Sequence, residues 1–228
     1  MISNPSEPQV SLCIFAKPPV PGEAKTRLIP AAGPRGAAAI ARALLADILS
    51  IAAAVSACRL LLSVSQEFDA DGMPPVEQFL QPDGNLGQRI EATLRYALST
   101  TPAALALAAD TPGLSTAMLE LAITRLQTCD AVLGPTHDGG FYLLGLKSCP
   151  PGLLSDIRWG QAATLTDTIA ALGLHKFRSA RLQSLADLDT PEDLSRLIAR
   201  FRSGALHSPA LETVLASLRL AASKMGTS

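Results

Sequence analysis

The sequence predicts a three-layer α/β/α sandwich with a mostly parallel central sheet. Short apolar runs that suit buried strands alternate with helical patterns along the whole chain. Hydrophobic residues make up 48% of the 228 residues and charged residues 17%, which is enough for a large core. The apolar surplus is mainly Ala and Leu, and both residues favour helices. No repeat or linker interrupts the pattern, so we expect one domain over residues 1–228.

The individual elements follow from local patterns. Apolar runs bounded by loop residues predict strands, and apolar positions at helical spacing predict helices. Residues 66–75 carry acidic residues, a glycine and prolines, so we expect a connection there. Ser115 and Thr190 are the predicted N-caps of two helices. In chain order we expect strand 10–16, helix 33–55, strand 59–65, helix 86–98, strand 104–109, helix 115–127, strands 131–134 and 141–146, helix 164–172, strand 176–180, helix 191–201 and a peripheral helix 208–222 outside a core of about 10–202.

Charge and hydropathy argue against nucleic-acid and membrane partners. The formal net charge is −1 and no long basic block is present, which gives nucleic-acid binding little support. The Ala-rich segment 37–58 contains Arg42 and Asp47, so we expect a core helix and not a membrane span. Residues 1–9 are polar and contain prolines, unlike a signal peptide. We therefore expect a cytoplasmic protein.

The four cysteines indicate the same compartment. Cys13, Cys58, Cys129 and Cys149 match no zinc or thioredoxin-like spacing, and three of them lie in or beside apolar runs. We expect buried or partly buried free thiols in a reducing environment.

A basic loop follows the first predicted strand and precedes the first helix. It contains Lys17, Gly22, Lys25 and Arg27 within eleven positions. Backbone amides of a glycine-containing loop, together with cationic side chains, suit a diphosphate or triphosphate. The loop is neither a P-loop nor a dinucleotide fingerprint, because it lacks the Gly-Lys-Ser/Thr run and the glycine triplet. The alternative is an ordinary solvated surface loop.

Carboxylates lie at several predicted strand ends. Asp110 ends an apolar strand, and the carboxyl ends of strands are where open α/β sheets bind ligands. Mg²⁺ takes one or two carboxylates and leaves its other positions to phosphate oxygens. Asp187 and Asp189 supply a further acidic pair before a capped helix. Two alternatives stay open: Asp110 is also suited to a turn, and Asp138-Gly-Gly is also suited to a hairpin.

Five separated motifs occur together in this chain: residues 15–28, 83–89, 109–112, 134–145 and 187–194. In this order they resemble the bacterial transferase family DUF2064, also labelled radical-SAM/selenodomain-associated transferase 1 and sometimes arsenosugar biosynthesis glycosyltransferase. That family belongs to the GT-A, or nucleotide-diphospho-sugar transferase, superfamily. The resemblance covers about residues 10–200 and implies the GT-A fold. The chain differs from many superfamily members in lacking a Leu-Ala-Ala-Gly-Gly-like opening loop and an Asp-x-Asp motif.

The resemblance also implies roles for individual residues. The loop around Gly22 would hold nucleotide phosphates, and residues 83–89 would line the base or acceptor side. Asp110 and Asp189 would bind Mg²⁺ or Mn²⁺, and the Asp138 turn would border the acceptor pocket. Trp159 is a packing residue in one interpretation and an acceptor-side wall in the other. The candidate residues are Lys17, Gly22, Lys25, Thr26, Arg27, Asp83 and Gly87 for the nucleotide; Asp110 and Asp189, with Asp187 as a neighbour, for the metal; Asp138, Gly139, Gly140 and Trp159 for the acceptor; and Lys25, Arg27 and Asp110 for catalysis.

Three functions remain open at this level. The first is metal-dependent nucleotidyl transfer from a nucleoside triphosphate to a small phosphorylated or hydroxyl acceptor, with release of pyrophosphate. The basic loop favours it, because a triphosphate carries more charge to neutralise, and such chemistry needs positioning rather than a covalent nucleophile. The second is glycosyl transfer from a nucleotide-diphospho-sugar. The third is a nucleotide-binding regulatory module without turnover.

Overall fold

The structure is a computed structural model that describes residues 8–225, with side chains described through residue 218. Residues 1–7 of the segment 1–9, for which we expect no signal peptide, lie outside this range. The elements are β1 (Val10–Ala16), a 3₁₀ turn (Thr26–Leu28), α1 (Ile29–Ala53), β2 (Cys58–Val64), β3 (Glu77–Leu80), α2 (Leu86–Leu98), β4 (Ala104–Ala108), α3 (Thr116–Thr128), β5 (Ala131–Pro135), β6 (Phe141–Leu146), α4 (Thr164–Leu174), β7 (Ser179–Arg181), α5 (Pro191–Arg202) and α6 (Pro209–Met225).

Seven strands form one sheet in the order β3-β2-β1-β4-β6-β5-β7. Only β6 runs against its neighbours; the pairs β1–β2, β1–β4, β2–β3 and β5–β7 are parallel. Ile14 in the centre of the sheet lies beside Leu62 on one strand and Leu107 on the other. The mostly parallel α/β fold is therefore confirmed, and the carboxyl ends of β1, β2 and β4 meet at one edge of the sheet.

The helices cover both faces of the sheet. Alternate strand residues point to opposite faces, so Leu12 and Ile14 pack with α1 and α3, whereas Cys13 packs with α2 and α4. The predicted three layers are therefore present. On the face covered by α2, β4 presents Ala104 and Ala106, and these small side chains leave room for the helix.

A third apolar cluster lies on the far side of α1, where α5 and α6 pack against it. Asp47 of α1 accepts hydrogen bonds from the Ala210 and Leu211 amides at 3.0 and 3.2 Å, and from the Ser208 hydroxyl. This carboxylate caps the positive end of α6. Among the described helices, only the segment Thr26–Ala53 is long and apolar enough to cross a membrane, and 56% of its most apolar window is buried inside the protein.

Some predicted boundaries and one element are wrong. Strand β3 was not predicted, because a four-residue, half-exposed edge strand has no apolar run. Helix α1 begins at Ile29, before the predicted start, and Gly33 (φ 67°, ψ 167°) interrupts it, so the regular helix still follows Gly33. Strand β7 spans Ser179–Arg181 and not 176–180, because Lys176 adopts a left-handed turn with φ 59°.

We expect the α2 layer to depend on Leu94, which is fully buried against the sheet. Leu94→Ala should lower the free energy of unfolding by about 2–5 kcal/mol, because it removes buried methyl groups and leaves a cavity. Leu121→Ala is a matched control on the equally long helix α3, where the leucine is 44% exposed. Urea unfolding measures both variants, and equal losses would contradict this packing.

Candidate active site

A cleft of about 440 Å³ lies where the carboxyl ends of β1, β2 and β4 meet. The residues after β1, the basic loop, the start of α2 and the loop before α5 contribute its walls. Arg27 lies in the wall formed by the basic loop, and Arg89 in the wall formed by α2. The predicted phosphate loop and the predicted metal carboxylates therefore share one cavity. Its lining includes Phe15, Lys17, Lys25, Thr26, Arg27, Gln81, Leu86, Arg89, Asp110 and Asp189.

Lys25 joins the two predicted metal ligands. Its Nζ donates hydrogen bonds to Asp110 Oδ2 at 3.1 Å and to Asp189 Oδ1 at 2.7 Å, and 12% of its side chain is exposed. Burial acts to lower the pKa of Lys25, but the charges of Asp110 and Asp189 and their hydrogen bonds outweigh burial and raise the pKa. The side chain is therefore an ammonium held between two carboxylates.

Local hydrogen bonds hold both carboxylates in place. The Leu188 amide donates to the Asp110 carbonyl oxygen at 3.0 Å, which ties the loop before α5 to the end of β4. Thr190 caps α5, and Asp193 accepts from the Thr190 and Asp189 amides at 2.8 and 3.1 Å. This capping box fixes the backbone at Asp189. Asp193 is therefore a positioning residue; from the sequence it was predicted only as an acidic residue in the first turn of the helix that Thr190 caps.

The donor set suits a divalent cation. One ammonium nitrogen lies within hydrogen-bond distance of oxygens from two separate loops, so these oxygens already converge on a common cation position. Mg²⁺ or Mn²⁺ could be held there by Asp110 and Asp189, with phosphate oxygens or water as further ligands. In the described part of the chain, no group of three or more His, Cys, Asp or Glu side chains is arranged to hold a metal.

A second compartment of about 360 Å³ adjoins the cleft and shares Asp110 and Asp189 with it. Asp138, Asp187 and Trp159 contribute its other walls, and the lining residues include four carboxylates and no Lys, Arg or His. Burial and then the charges of Asp138, Asp189 and Asp110 raise the pKa of Asp187, against a backbone hydrogen bond that lowers it. The four carboxylates, two of them paired with Lys25, make the compartment negative.

The Asp138 segment forms the hairpin turn between β5 and β6, which was one of the two open interpretations. Asp138 Oδ1 accepts hydrogen bonds from Thr136 Oγ1 at 2.5 Å and from the Gly140 amide at 3.0 Å. Gly139 has φ 91°, and a Cβ atom there would lie 2.3 Å from the Ala162 carbonyl oxygen. Gly139 and Gly140 thus serve the turn and its packing, while Asp138 both closes the turn and lines the second compartment.

Three predicted nucleotide residues line neither cavity. Gly22 allows a turn with φ 89° in the basic loop. Asp83 is exposed to solvent. Gly87 is required for packing, because a Cβ atom there would lie 2.6 Å from the Leu154 carbonyl oxygen and 2.8 Å from Trp159 Nε1.

From the motif of residues 83–89, it is Arg89 that lines the cleft, and not Asp83 or Gly87. Its Nε is buried and has no hydrogen-bond partner among the described residues. Arg89 lies one turn into α2, at the face that Leu86 also presents to the cleft. The resemblance implied only that the whole segment 83–89 lines the base or acceptor side, and Arg89 was not singled out within it.

The thiols are unsuited to nucleophilic catalysis. All four cysteines are free, and burial raises the pKa of Cys13 and Cys149 to about 12. A covalent cysteine intermediate therefore has no support in the site.

Trp159 forms part of the wall of the second compartment, and an ion pair between Arg158 and Asp167 anchors the segment that carries it. Arg158 donates to Asp167 of α4 through its Nε and Nη2, each at 2.8 Å, and through its amide at 3.1 Å. The ring of Trp159 packs edge-on against Phe141 with centroids 5.9 Å apart. The side-chain and backbone hydrogen bonds from Arg158 lower the pKa of Asp167 to about 2.

The lowered pKa of Asp167 predicts that the stability of the folded protein depends on pH. The folded-state pKa of Asp167 lies below its unfolded value of about 3.9, so its contribution to stability is present above pH 4 and is lost as the pH falls through about 2. The stability advantage of the wild type over Asp167→Asn should therefore shrink between about pH 5 and pH 2. Urea unfolding at several pH values tests this, with the exposed Glu120→Gln as control. An advantage that does not change with pH would contradict the assignment.

Solved structures with this architecture include proteins assigned as nucleotide-diphospho-sugar transferases and cytidylyltransferases. A protein from Desulfovibrio desulfuricans G20, assigned provisionally as a nucleotide-diphospho-sugar transferase, matches with a TM-score of 0.82 and 26% identity over 93% of this chain and 98% of that chain. A cytidylyltransferase from Leptospira borgpetersenii matches with a TM-score of 0.59 and 14% identity over 95% and 96%. Rv0371c of Mycobacterium tuberculosis, in complex with manganese, matches with a TM-score of 0.51 and 15% identity over 84% and 98%. The last two show the fold alone.

The family follows from a second comparison. Residues 49–161 match the model of DUF2064, described as an uncharacterized protein conserved in bacteria. This match confirms the resemblance drawn from the sequence motifs. None of the curated proteins matches the chain significantly.

Proposed function

We propose that this protein transfers a nucleotidyl group from a nucleoside triphosphate to a hydroxyl acceptor with the help of Mg²⁺ or Mn²⁺. The observation that carries the proposal is the convergence of Asp110 and Asp189 on one cation position beside a basic cleft. The cytidylyltransferase and the manganese complex that share the fold support it. Of the two predicted acceptors we propose the hydroxyl compound over the phosphorylated one, because four carboxylates line the second compartment.

The charge of the cleft favours a triphosphate. Four cationic side chains line it, namely Lys17, Lys25, Arg27 and Arg89, against Glu23 and the two metal carboxylates. A triphosphate offers more negative charge to these cations than the diphosphate of a nucleotide-sugar does. Arg89 adds a specific need for a ligand, because its buried Nε has no partner among the described residues.

The two compartments suit an in-line displacement. The acceptor hydroxyl, held in the second compartment, attacks the α-phosphorus; the bond from that phosphorus to the bridging oxygen of the β-phosphate breaks, and pyrophosphate leaves. The proton of the hydroxyl passes to a carboxylate facing that compartment or to water. Lys25 and Arg27 neutralise charge on the phosphates, which is the main need of such a reaction. A divalent cation held by Asp110 and Asp189 would add further charge neutralisation.

The second compartment selects against an anionic acceptor. Asp138 and Asp187 would remain as uncompensated carboxylates there even with a metal on Asp110 and Asp189, and no cationic side chain lines the space. A phosphorylated compound would be repelled. Phe15, Phe141 and Trp159 supply apolar surface for an uncharged or cationic hydroxyl compound.

A second candidate function is glycosyl transfer from a nucleotide-diphospho-sugar. The likeness to the Desulfovibrio protein favours it, because that protein has been assigned to this class. In that case the same carboxylates would hold the metal on the diphosphate of the leaving group, and the cleft would carry one phosphate fewer.

A binding panel separates the two functions. In the presence of Mg²⁺ or Mn²⁺, a nucleoside triphosphate at 100 times its dissociation constant should stabilise the wild type by about 2.7 kcal/mol in thermal denaturation. Asp110→Asn and Asp189→Asn should abolish the metal-dependent part of this gain and lower turnover by roughly 100-fold or more, because they remove charge stabilisation. Glu120→Gln, on an exposed face of α3, should behave as the wild type. Stabilisation by UDP-, GDP- or ADP-sugars alone would overturn nucleotidyl transfer.

The acceptor prediction has its own test. With the nucleotide that the panel identifies, neutral polyols should be better acceptors than their phosphate monoesters, measured by pyrophosphate release. Asp187→Asn should narrow this preference several-fold, because it removes one negative charge from the compartment. A wild type that prefers the phosphate monoesters would contradict the electrostatic argument.

A further inference from the structure

We propose that Lys25 is an internal cation that occupies the metal position in the ligand-free protein and moves to the nucleotide phosphates when metal and nucleotide enter together. The metal then binds tightly only with the nucleotide. This inference rests on the proposed function, because it concerns the same two carboxylates.

The Lys25 ammonium lies close to both carboxylates that would bind the metal. Lys25 Nζ lies 2.7 Å from Asp189 Oδ1 and 3.1 Å from Asp110 Oδ2. The lysine is 12% exposed, whereas the two carboxylates are 37% and 38% exposed. A divalent cation that contacts both oxygens would be at close range to the ammonium, and two like charges so placed repel each other. Lys25 and the metal therefore exclude each other at this position.

No other described cation pairs with these carboxylates in place of Lys25. Among the described residues, Lys25 is the only cation in an ion pair with Asp110 or Asp189. Asp138 and Asp187 lie in the adjoining compartment and add negative charge. If Lys25 left without a ligand entering, four carboxylates would face each other with no such cation. Without a ligand, the ammonium is therefore held where it is.

The backbone at Lys25 adopts an unfavourable conformation. This residue has φ 47° and ψ 45°, the left-handed region that is unfavourable for a side chain with a Cβ atom. Such a conformation persists where the surrounding contacts enforce it, and the two ion pairs are such contacts. The basic loop is also next to the phosphate-binding wall, since Thr26 and Arg27 line the same cleft. Oxygens of a phosphate bound against this loop would give the Lys25 ammonium alternative partners.

We expect the binding of the metal and the binding of the nucleotide to be thermodynamically coupled. Metal alone must displace a tethered ammonium and binds weakly. A nucleotide that attracts Lys25 frees the carboxylates, so each ligand raises the affinity for the other. Lys25 therefore prevents divalent cations from binding to Asp110 and Asp189 when no nucleotide is present.

The test is Mn²⁺ binding to the nucleotide-free protein, followed by the electron paramagnetic resonance signal of free Mn²⁺. Lys25→Met should bind Mn²⁺ at least about 10-fold more tightly than the wild type, within the usual range of coupling between sites. Lys25→Arg, which keeps the charge, should stay weak. Lys147→Met is the control, because that lysine pairs with Asp130 away from the cleft. Lys25→Gln replaces Lys25→Met if the latter does not fold, as judged by circular dichroism.

A double variant locates the gained site. Adding Asp110→Asn to Lys25→Met should remove the gain; a gain that persists, or a wild type that binds as tightly as Lys25→Met, overturns the role of Lys25. The proposed function fails separately. It fails if metal and nucleotide together do not stabilise the wild type, even where Lys25→Met gains affinity. Joint stabilisation without that gain leaves the proposed function intact and overturns this inference alone.

Discussion

The contact of one ammonium with two carboxylates is the interaction on which the site depends. Lys25 comes from the loop after β1, Asp110 from the end of β4, and Asp189 from the loop before α5. The ion pairs thus join segments separated by 85 and 164 residues. Because Lys25 is largely withdrawn from solvent, this contact ties the basic loop to both candidate metal ligands. It also makes the two carboxylates a site for a single cation.

The sheet order makes that contact possible. Strands β1 and β4 are parallel neighbours, so their carboxyl ends deliver the basic loop and Asp110 to the same edge. The capping box of α5 and the hydrogen bond from Leu188 to Asp110 then bring Asp189 to this edge. The hairpin turn at Asp138 and the anchored Trp159 wall close the adjoining compartment on its far side. Function in this fold therefore resides in loops held by a rigid sheet.

Much of the fold and part of the site could be predicted from the sequence. Helix α2 and strand β1 have the predicted bounds, since each has an unbroken periodic pattern. Strand β3 was missed, because its burial comes from pairing with β2 and not from an apolar run of its own. Arg89 was not singled out, because an arginine on a helix surface acquires a role only through the wall it faces. Gly87 was predicted to bind the nucleotide, and the sequence did not indicate the close approach of Trp159 and Leu154 that requires a glycine there.

The sequence by itself determined the class of fold, the family and the kinds of side chain available, because periodicity, strand-end positions and motif order are local properties of the chain. It also presented Lys25, Asp110 and Asp189 as candidates. Only the tertiary structure decided that Lys25 lies between the two carboxylates, that Asp138 closes a turn, and that the second compartment has no cationic wall. These facts depend on the distances between loops distant in sequence, and those distances are set by the order of strands in the sheet and by packing around it.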